Sequence, residues 1–376
     1  MKKKLRQKRK YLIVVVFVLV VLYPYIAHIF GFDSEIKGVE QKIELSLDTV
    51  DDYILQNFPG RSTLIKVKNQ LLYSIFGISN NESVVRIDGN LIATESLNYF
   101  HGANSISDEK MDELVNKLER LNEIVTKKNK KMLVILTPTK VRFYKGKIPF
   151  TDRLIDKYDA HDYKLPYEQF KEKTKGSTLN IFDSIEYINN NKDIYLGGEV
   201  PLYYKSGHHW SNYKSNLLGT ELLKYVTREF GIRVPSIDIE YGESDDPQYP
   251  DADLHEVLNV YSKPKEKFFV PSLKYNDTTI DERNYTLSGG SFMSGLLLPN
   301  MTAGLSNEVY EVMNKFFFYH HFADNVTFET YDEINEKFNL IDHINKTDVF
   351  IFEIHELNFY NASFGFLDYI LEHEEI

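Results

Sequence analysis

One segment narrows what this chain can be before any other. Seven of its first ten residues are basic (Lys2, Lys3, Lys4, Arg6, Lys8, Arg9 and Lys10), and the apolar run YLIVVVFVLVVLYPYIA follows from Tyr11 to Ala27. With His28, Ile29 and Phe30 the run reaches the roughly 20 residues that an α-helix needs to cross ~30 Å of hydrocarbon. Only a helix satisfies its own backbone hydrogen bonds there. Pro24 falls late in the run, where a kink or helix end is tolerated. The cations in front hold that end in the cytoplasm. A cleaved signal peptide would carry a shorter apolar stretch, ~7–15 residues, followed by small residues. Here the bulky His28-Ile29-Phe30-Gly31-Phe32 follows instead. The expectation is a basic cytoplasmic tail (1–10), a transmembrane helix in membrane lipid (11–30) and an extracytoplasmic remainder. That describes a single-pass protein of the cell membrane.

Charge and cysteine usage then exclude several classes. Setting aside the seven basic residues of the tail takes the net charge from −11 to −18. So acidic a remainder argues against nucleic acid as a partner. The chain has no cysteine. It therefore has no disulfide, thiolate nucleophile or cysteine–metal site, and an exported domain must be held by its own core. The 26 tyrosines and 25 phenylalanines could stack on sugar rings, but they read first as compositional bias.

No internal repeat, low-complexity tract or Pro/Gly-rich linker divides the chain. Residues 31–80 are expected to form a helical membrane-proximal segment, with apolar periodicity over 33–79 broken near Pro59-Gly60 and resuming from Leu64 to Phe76. In VVRIDGNLIA (84–93), Asp88-Gly89 between apolar runs signals a hairpin. Residues 108–129 predict an amphipathic helix, with Ser107 as N-cap and Asp108 and Glu109 at the positive end of its dipole. Met111, Leu114, Val115, Leu118, Leu121 and Val125 form its apolar stripe. MLVILTP (132–138), DVFIFEI (348–354) and, more weakly, KFFFYHHF (315–322) read as strands buried on both faces, as in a parallel sheet. Helices alternating with such runs predict a three-layer α/β domain over 81–376, with functional loops at the strand ends.

Two segments carry chemistry. Tyr203-Tyr204-Lys205-Ser206-Gly207-His208-His209-Trp210-Ser211 leads into a predicted helix, 212–230, capped by Ser211 and stopped by Gly231. Adjacent histidine side chains diverge, so His208-His209 is a poor chelate, and no complete metal motif is present. No metal site is expected. In Leu287-Ser288-Gly289-Gly290-Ser291-Phe292-Met293-Ser294, glycines before a serine permit a tight strand-to-helix turn that exposes the hydroxyl. Free N–H groups there can stabilise an oxyanion, and a histidine can activate the serine by taking its proton.

Together these residues resemble the SGNH-hydrolase-like family of alginate O-acetylation proteins (AlgJ and AlgX) and the related DHHW proteins. Asp52-Tyr53 to Arg61 is similar to that family's first segment, and Val85 to Leu91 to its hairpin, with Asn90 where Trp is usual. Val134 to Lys140, with Pro149, resembles its Pro-x-Lys turn. Tyr204 to Trp210 matches the DHHW segment, Asp253-Leu254 a later D-L element, Gly289 to Phe292 the nucleophile block, and Val349 to Asn358 the last strand. The resemblance implies a Ser–His–Asp centre that transfers acetyl groups to an exported polysaccharide, without a dissociable cofactor. It also implies an acetyl donor delivered by a multi-spanning membrane acyltransferase. In it Ser291 is the nucleophile, His209 the base, and Gly289, Gly290 and Phe292 the nucleophile loop, with His208 and Trp210 in support. Two positions depart from the pattern: Gly207 stands where the triad Asp belongs, and Gly290 where the nucleophile block carries Asp. Three outcomes follow from the first departure. Another acid, Asp253 or Glu353, serves His209; a Ser–His dyad suffices; or the domain is catalytically degenerate and binds or scaffolds glycan within an export machine.

Overall fold

The computed structural model describes Leu22 and residues 60–144, 164–234, 236–276, 281, 283–296, 309–313, 316–319, 326–327 and 330–373. The expected membrane helix, apart from Leu22, and residues 31–59 lie outside the described residues. Among those described, no helix is long and apolar enough to cross a membrane. The chain divides into two compact units: residues up to Asn80 with Leu258–Lys263, and Asn81–Val257 with Pro264–Ile376. In the first, a helix at Arg61–Leu71 continues as a π-turn over Leu72–Phe76.

The second unit is built on a seven-stranded sheet. Strands β1 (Val84–Ile87) and β2 (Asn90–Ala93) form the expected hairpin, with Asp88 and Gly89 both at positive φ, as a two-residue type I′ turn requires. The main sheet comprises β3 (Lys131–Thr137), β4 (Ile181–Asp183), β7 (Tyr285–Gly289), β8 (Val309–Met313), β9 (Phe316–Tyr319), β10 (Val326–Thr327) and β11 (Val349–His355), in the order β10-β9-β8-β7-β11-β3-β4. The five strands from β8 to β4 are parallel. Beyond them β9 and β10 run antiparallel, so the 315–322 segment contributes a strand but not the parallel one expected. A separate antiparallel ribbon pairs β5 (Ile237–Ser244) with β6 (Phe268–Tyr275).

The central strands are buried except at Lys131, and their alternation divides two cores. Met132, Val134, Leu136, Phe350, Phe352 and Ile354 face α1 (Asp108–Lys127) and the helix at Phe366–Glu372. Leu133, Ile135, Leu287, Val349 and Ile351 face α2 (Asn212–Phe230) on the other side. Both long helices begin where the sequence placed them: Ser107 accepts the N–H of Lys110 and Ser211 that of Lys214. Helix α2 ends on Gly231 in the left-handed conformation. Two short helices, α3 (Asp253–Glu256) and α4 (Ser291–Leu296), complete the ground plan of the site. The result is a three-layer α/β unit in which the C-terminal ends of β3, β7 and β11 lie side by side, where loops of such sheets carry function.

Candidate active site

Strand β7 ends at Gly289, and α4 starts two residues later at Ser291, which is exposed while Gly289 and Gly290 are buried. The close approach of Glu353, on the neighbouring strand β11, dictates glycine at 289. A Cβ there would stand 2.6 Å from the Cβ of Glu353 and 2.8 Å from its Oε2. The N–H of Gly290 donates to Oε2 of Glu353 at 2.6 Å, and the hydroxyl of Thr137, at the end of β3, donates to Oε1. Burial holds the pKa of Glu353 above the usual carboxylate range, although these two hydrogen bonds act downward. One carboxylate thus ties the ends of two strands to the turn that presents Ser291. Behind the serine, Phe292 is buried and stacks on His355 with ring centroids 4.2 Å apart.

The second loop, 203–211, has no regular structure and is held by side chains from elsewhere. Lys140 is fully buried, and its ammonium donates to the carbonyls of Leu91 (2.9 Å), Tyr204 (2.6 Å) and Gly207 (2.8 Å). Burial pushes its pKa down to about 7, while the charges of Glu266 and Asp253 act upward. These acceptors, with the carbonyl of Lys205 at 3.3 Å, call for the three N–H donors of the charged form. From the other side, the carboxylate of Glu266 accepts the N–H groups of Lys205 and Ser206, each at 2.9 Å. The carbonyl of Ser206 accepts from the N–H of His255 at 3.0 Å.

The two loops meet at His209. Its Nδ1 lies 2.6 Å from Oδ2 of Asp253, and its Nε2 lies 2.6 Å from Oγ of Ser291. An ionised carboxylate only accepts, so Nδ1 carries the proton and Nε2 is left to accept from the serine hydroxyl. Asp253 is well suited to stay ionised. Its Oδ1 accepts the N–H groups of His208 (2.7 Å) and Leu254 (2.9 Å). Burial acts to raise its pKa, but the hydrogen bond and charge of His209 outweigh it and hold the carboxyl below its usual range.

Of the two acids weighed from the sequence, Asp253 reaches His209, and Glu353 serves the nucleophile turn instead. The two departing glycines now have a physical account. A Cβ on Gly207 would stand 2.5 Å from the carbonyl oxygen of Asp251 and 3.6 Å from Oδ1 of Asp253. One on Gly290 would stand 3.4 Å from Oε2 of Glu353. At each position where the resembled pattern has an aspartate, a carboxylate from another segment stands beside the glycine. His208 is also placed here, its ring 5.1 Å from that of His209. Burial, with the neighbouring charge of His209, pushes its pKa down to about 4. Trp210 packs edge-on against Phe292 in the core. Glu266 was not singled out from the sequence, and Thr137 and Lys140 only as part of the segment from Val134 to Lys140. Their partners are distant in the chain, and a lone Glu, Thr or Lys carries no local signal of such a contact.

No protein-family model and no curated protein matches this chain. Several solved structures align with it. They include the O-acetyltransferase domain of Pseudomonas putida AlgJ, at 14% identity and a TM-score of 0.45, over 74% of this chain and 92% of that one. Bacillus cereus PatB1 aligns at 11% identity and 0.43, over 74% and 97%. Pseudomonas aeruginosa AlgX aligns at 14% and 0.43, over 70% of this chain and 62% of its own.

Proposed function

We propose that this chain is a membrane-anchored, extracytoplasmic O-acetyltransferase, or acetylesterase-like enzyme, acting on an exported or cell-surface polysaccharide. The observation that supports it is the pair of 2.6 Å contacts that place His209 between the carboxylate of Asp253 and the hydroxyl of Ser291. A serine hydroxyl is a weak nucleophile until a base takes its proton, and the base needs an acid behind it to hold its tautomer and stabilise its cation. Oγ of Ser291 attacks the carbonyl carbon of an acetyl donor as its proton passes to Nε2 of His209. The carbonyl π electrons move onto oxygen, return as the tetrahedral intermediate collapses, and expel the leaving group, which takes the proton from His209. The acetyl group is left as an ester on Ser291. A sugar hydroxyl then attacks this ester, giving its proton to His209, and the Ser291 oxygen recovers that proton as it leaves. Water in place of the sugar gives hydrolysis. Asp253 remains ionised throughout. The basic tail and the apolar run at 11–30 support the membrane location, where a multi-spanning acyltransferase would supply acetyl groups.

The test uses the full chain in detergent micelles with a chromogenic acetyl ester. Wild type should give a burst of about one equivalent of chromophore and an acetyl adduct on Ser291 by mass spectrometry. Ser291→Ala and His209→Ala should lose both. Equal rates from all three proteins would dispose of the enzymatic assignment.

A further inference from the structure

A cleft of about 690 Å³ borders the proposed centre on its acid side, where His208 and Asp253 form part of its wall. Its remaining charged lining consists of Glu82, Glu95 and Glu256, and no lysine or arginine lines it among the described residues. The sole imidazole, His208, stays neutral down to about pH 4, because burial opposes its protonation, so it contributes no cation at working pH. Tyr249 stands at the cleft with 72% of its surface exposed, an aromatic face open to a ring. Asn81, Ser83, Thr94 and Asn98 supply amide and hydroxyl groups, and aliphatic side chains such as Leu254 and Val257 make up the rest of the wall. We infer that this cleft holds the acceptor, and that the acceptor is a glycan of neutral or amino sugars rather than a polyuronate. The inference rests on the active site proposed above.

A uronate residue would bring one carboxylate per ring against Glu82, Glu95 and Glu256, with no guanidinium or ammonium to receive it, and like charges at close quarters suppress a partner. A free sugar amine is attracted by the same groups, and a neutral ring is indifferent to them. Hydroxyl groups of all three glycans find the same amide and hydroxyl partners. The difference between them is therefore electrostatic, and salt should screen it within a Debye length of about 8–10 Å.

The experiment measures binding, so that it stands apart from turnover. The full chain carrying Ser291→Ala, in detergent at low ionic strength, is titrated with hexamers of glucosamine, N-acetylglucosamine and a uronic acid. The glucosamine hexamer should bind most tightly and the uronate hexamer at least about tenfold more weakly than the N-acetylglucosamine hexamer. The spread should narrow as salt is added. Replacing all three glutamates (Glu82→Gln, Glu95→Gln, Glu256→Gln) should bring the three affinities together. Equal or tighter binding of the uronate, or no binding of either amino-sugar hexamer, would overturn the inference. The acetyl-ester burst of wild type reports separately on the centre. A burst without the acceptor preference defeats only this inference, and the preference without a burst defeats only the catalytic proposal.

Discussion

Asp253 and Gly207 are best considered as a pair. The carboxylate that orients His209 comes from α3, and the position two residues before the histidine is closed by the carbonyl of Asp251 at 2.5 Å from any Cβ. Asp253→Asn should lower acetyl-ester turnover by up to about 10⁴, the loss seen when a serine-protease triad loses the anion that fixes its histidine tautomer. Adding Gly207→Asp to that variant should not restore it, because the new side chain has no room. Recovered turnover in the double variant would contradict this steric account. Gly289→Ala places a methyl group against the Cβ of Glu353 and should cost about 1–3 kcal/mol in urea unfolding, with turnover lost as the serine turn shifts. His208 offers a pH test. Its folded pKa, about 4, is depressed below the ordinary 6.5. Between these values the unfolded chain takes up a proton that the folded one refuses, so this group's contribution to stability is lost as pH falls from about 6.5 to 4. The full effect is roughly 3 kcal/mol. Asp251 acts in the opposite sense. Burial raises its pKa to about 7, so the folded state takes up its proton first and gains stability as pH falls through that value. The difference in unfolding free energy between wild type and His208→Gln isolates the histidine, and should shrink toward acid pH.

At the scale of elements, the site depends on an irregular loop and on three strand ends. The 203–211 loop owes its shape to Lys140 and Glu266, whose hydrogen bonds to Tyr204, Lys205, Ser206 and Gly207 take the place of a helix or a ladder. Lys140→Met keeps much of the volume but takes the ammonium donor from the carbonyls of Leu91 and Gly207, each at about 1–3 kcal/mol, while that of Tyr204 keeps the N–H of Gly207 at 3.2 Å. It should therefore destabilise the protein by at least ~2 kcal/mol in denaturant unfolding, and acetyl-ester turnover should fall with it as His209 loses its placement. A stability change under 1 kcal/mol would mean that the loop is held by something else. The regular elements could be read from the chain because their determinants are local. The stripe from Met111 to Val125, the Ser107 and Ser211 caps, the Gly231 stop and the Asp88-Gly89 turn each act within a few residues. The direction of β9 could not be read, because a short aromatic run has the same pattern in a parallel or an antiparallel neighbour.

For the molecule as a whole, the proposed location makes a simple prediction. The full chain should fractionate with membranes and resist carbonate extraction, its main unit should be digested by protease added from outside, and deleting 11–30 should release it into the soluble fraction. Recovery of the intact chain as a soluble protein would refute the anchor. The sequence by itself determined the expected anchor, the alternation of helices with apolar strands, and the two segments that bear Ser291 and His209, since periodicity, charge and turn chemistry are properties of neighbours in the chain. It left open which acid serves the histidine, because a lone carboxylate looks the same wherever it stands. The tertiary structure alone decided that. It folds the Asp253 turn over Gly207, sets Glu353 beneath Gly290, and so supplies across space the two carboxylates that local sequence lacks.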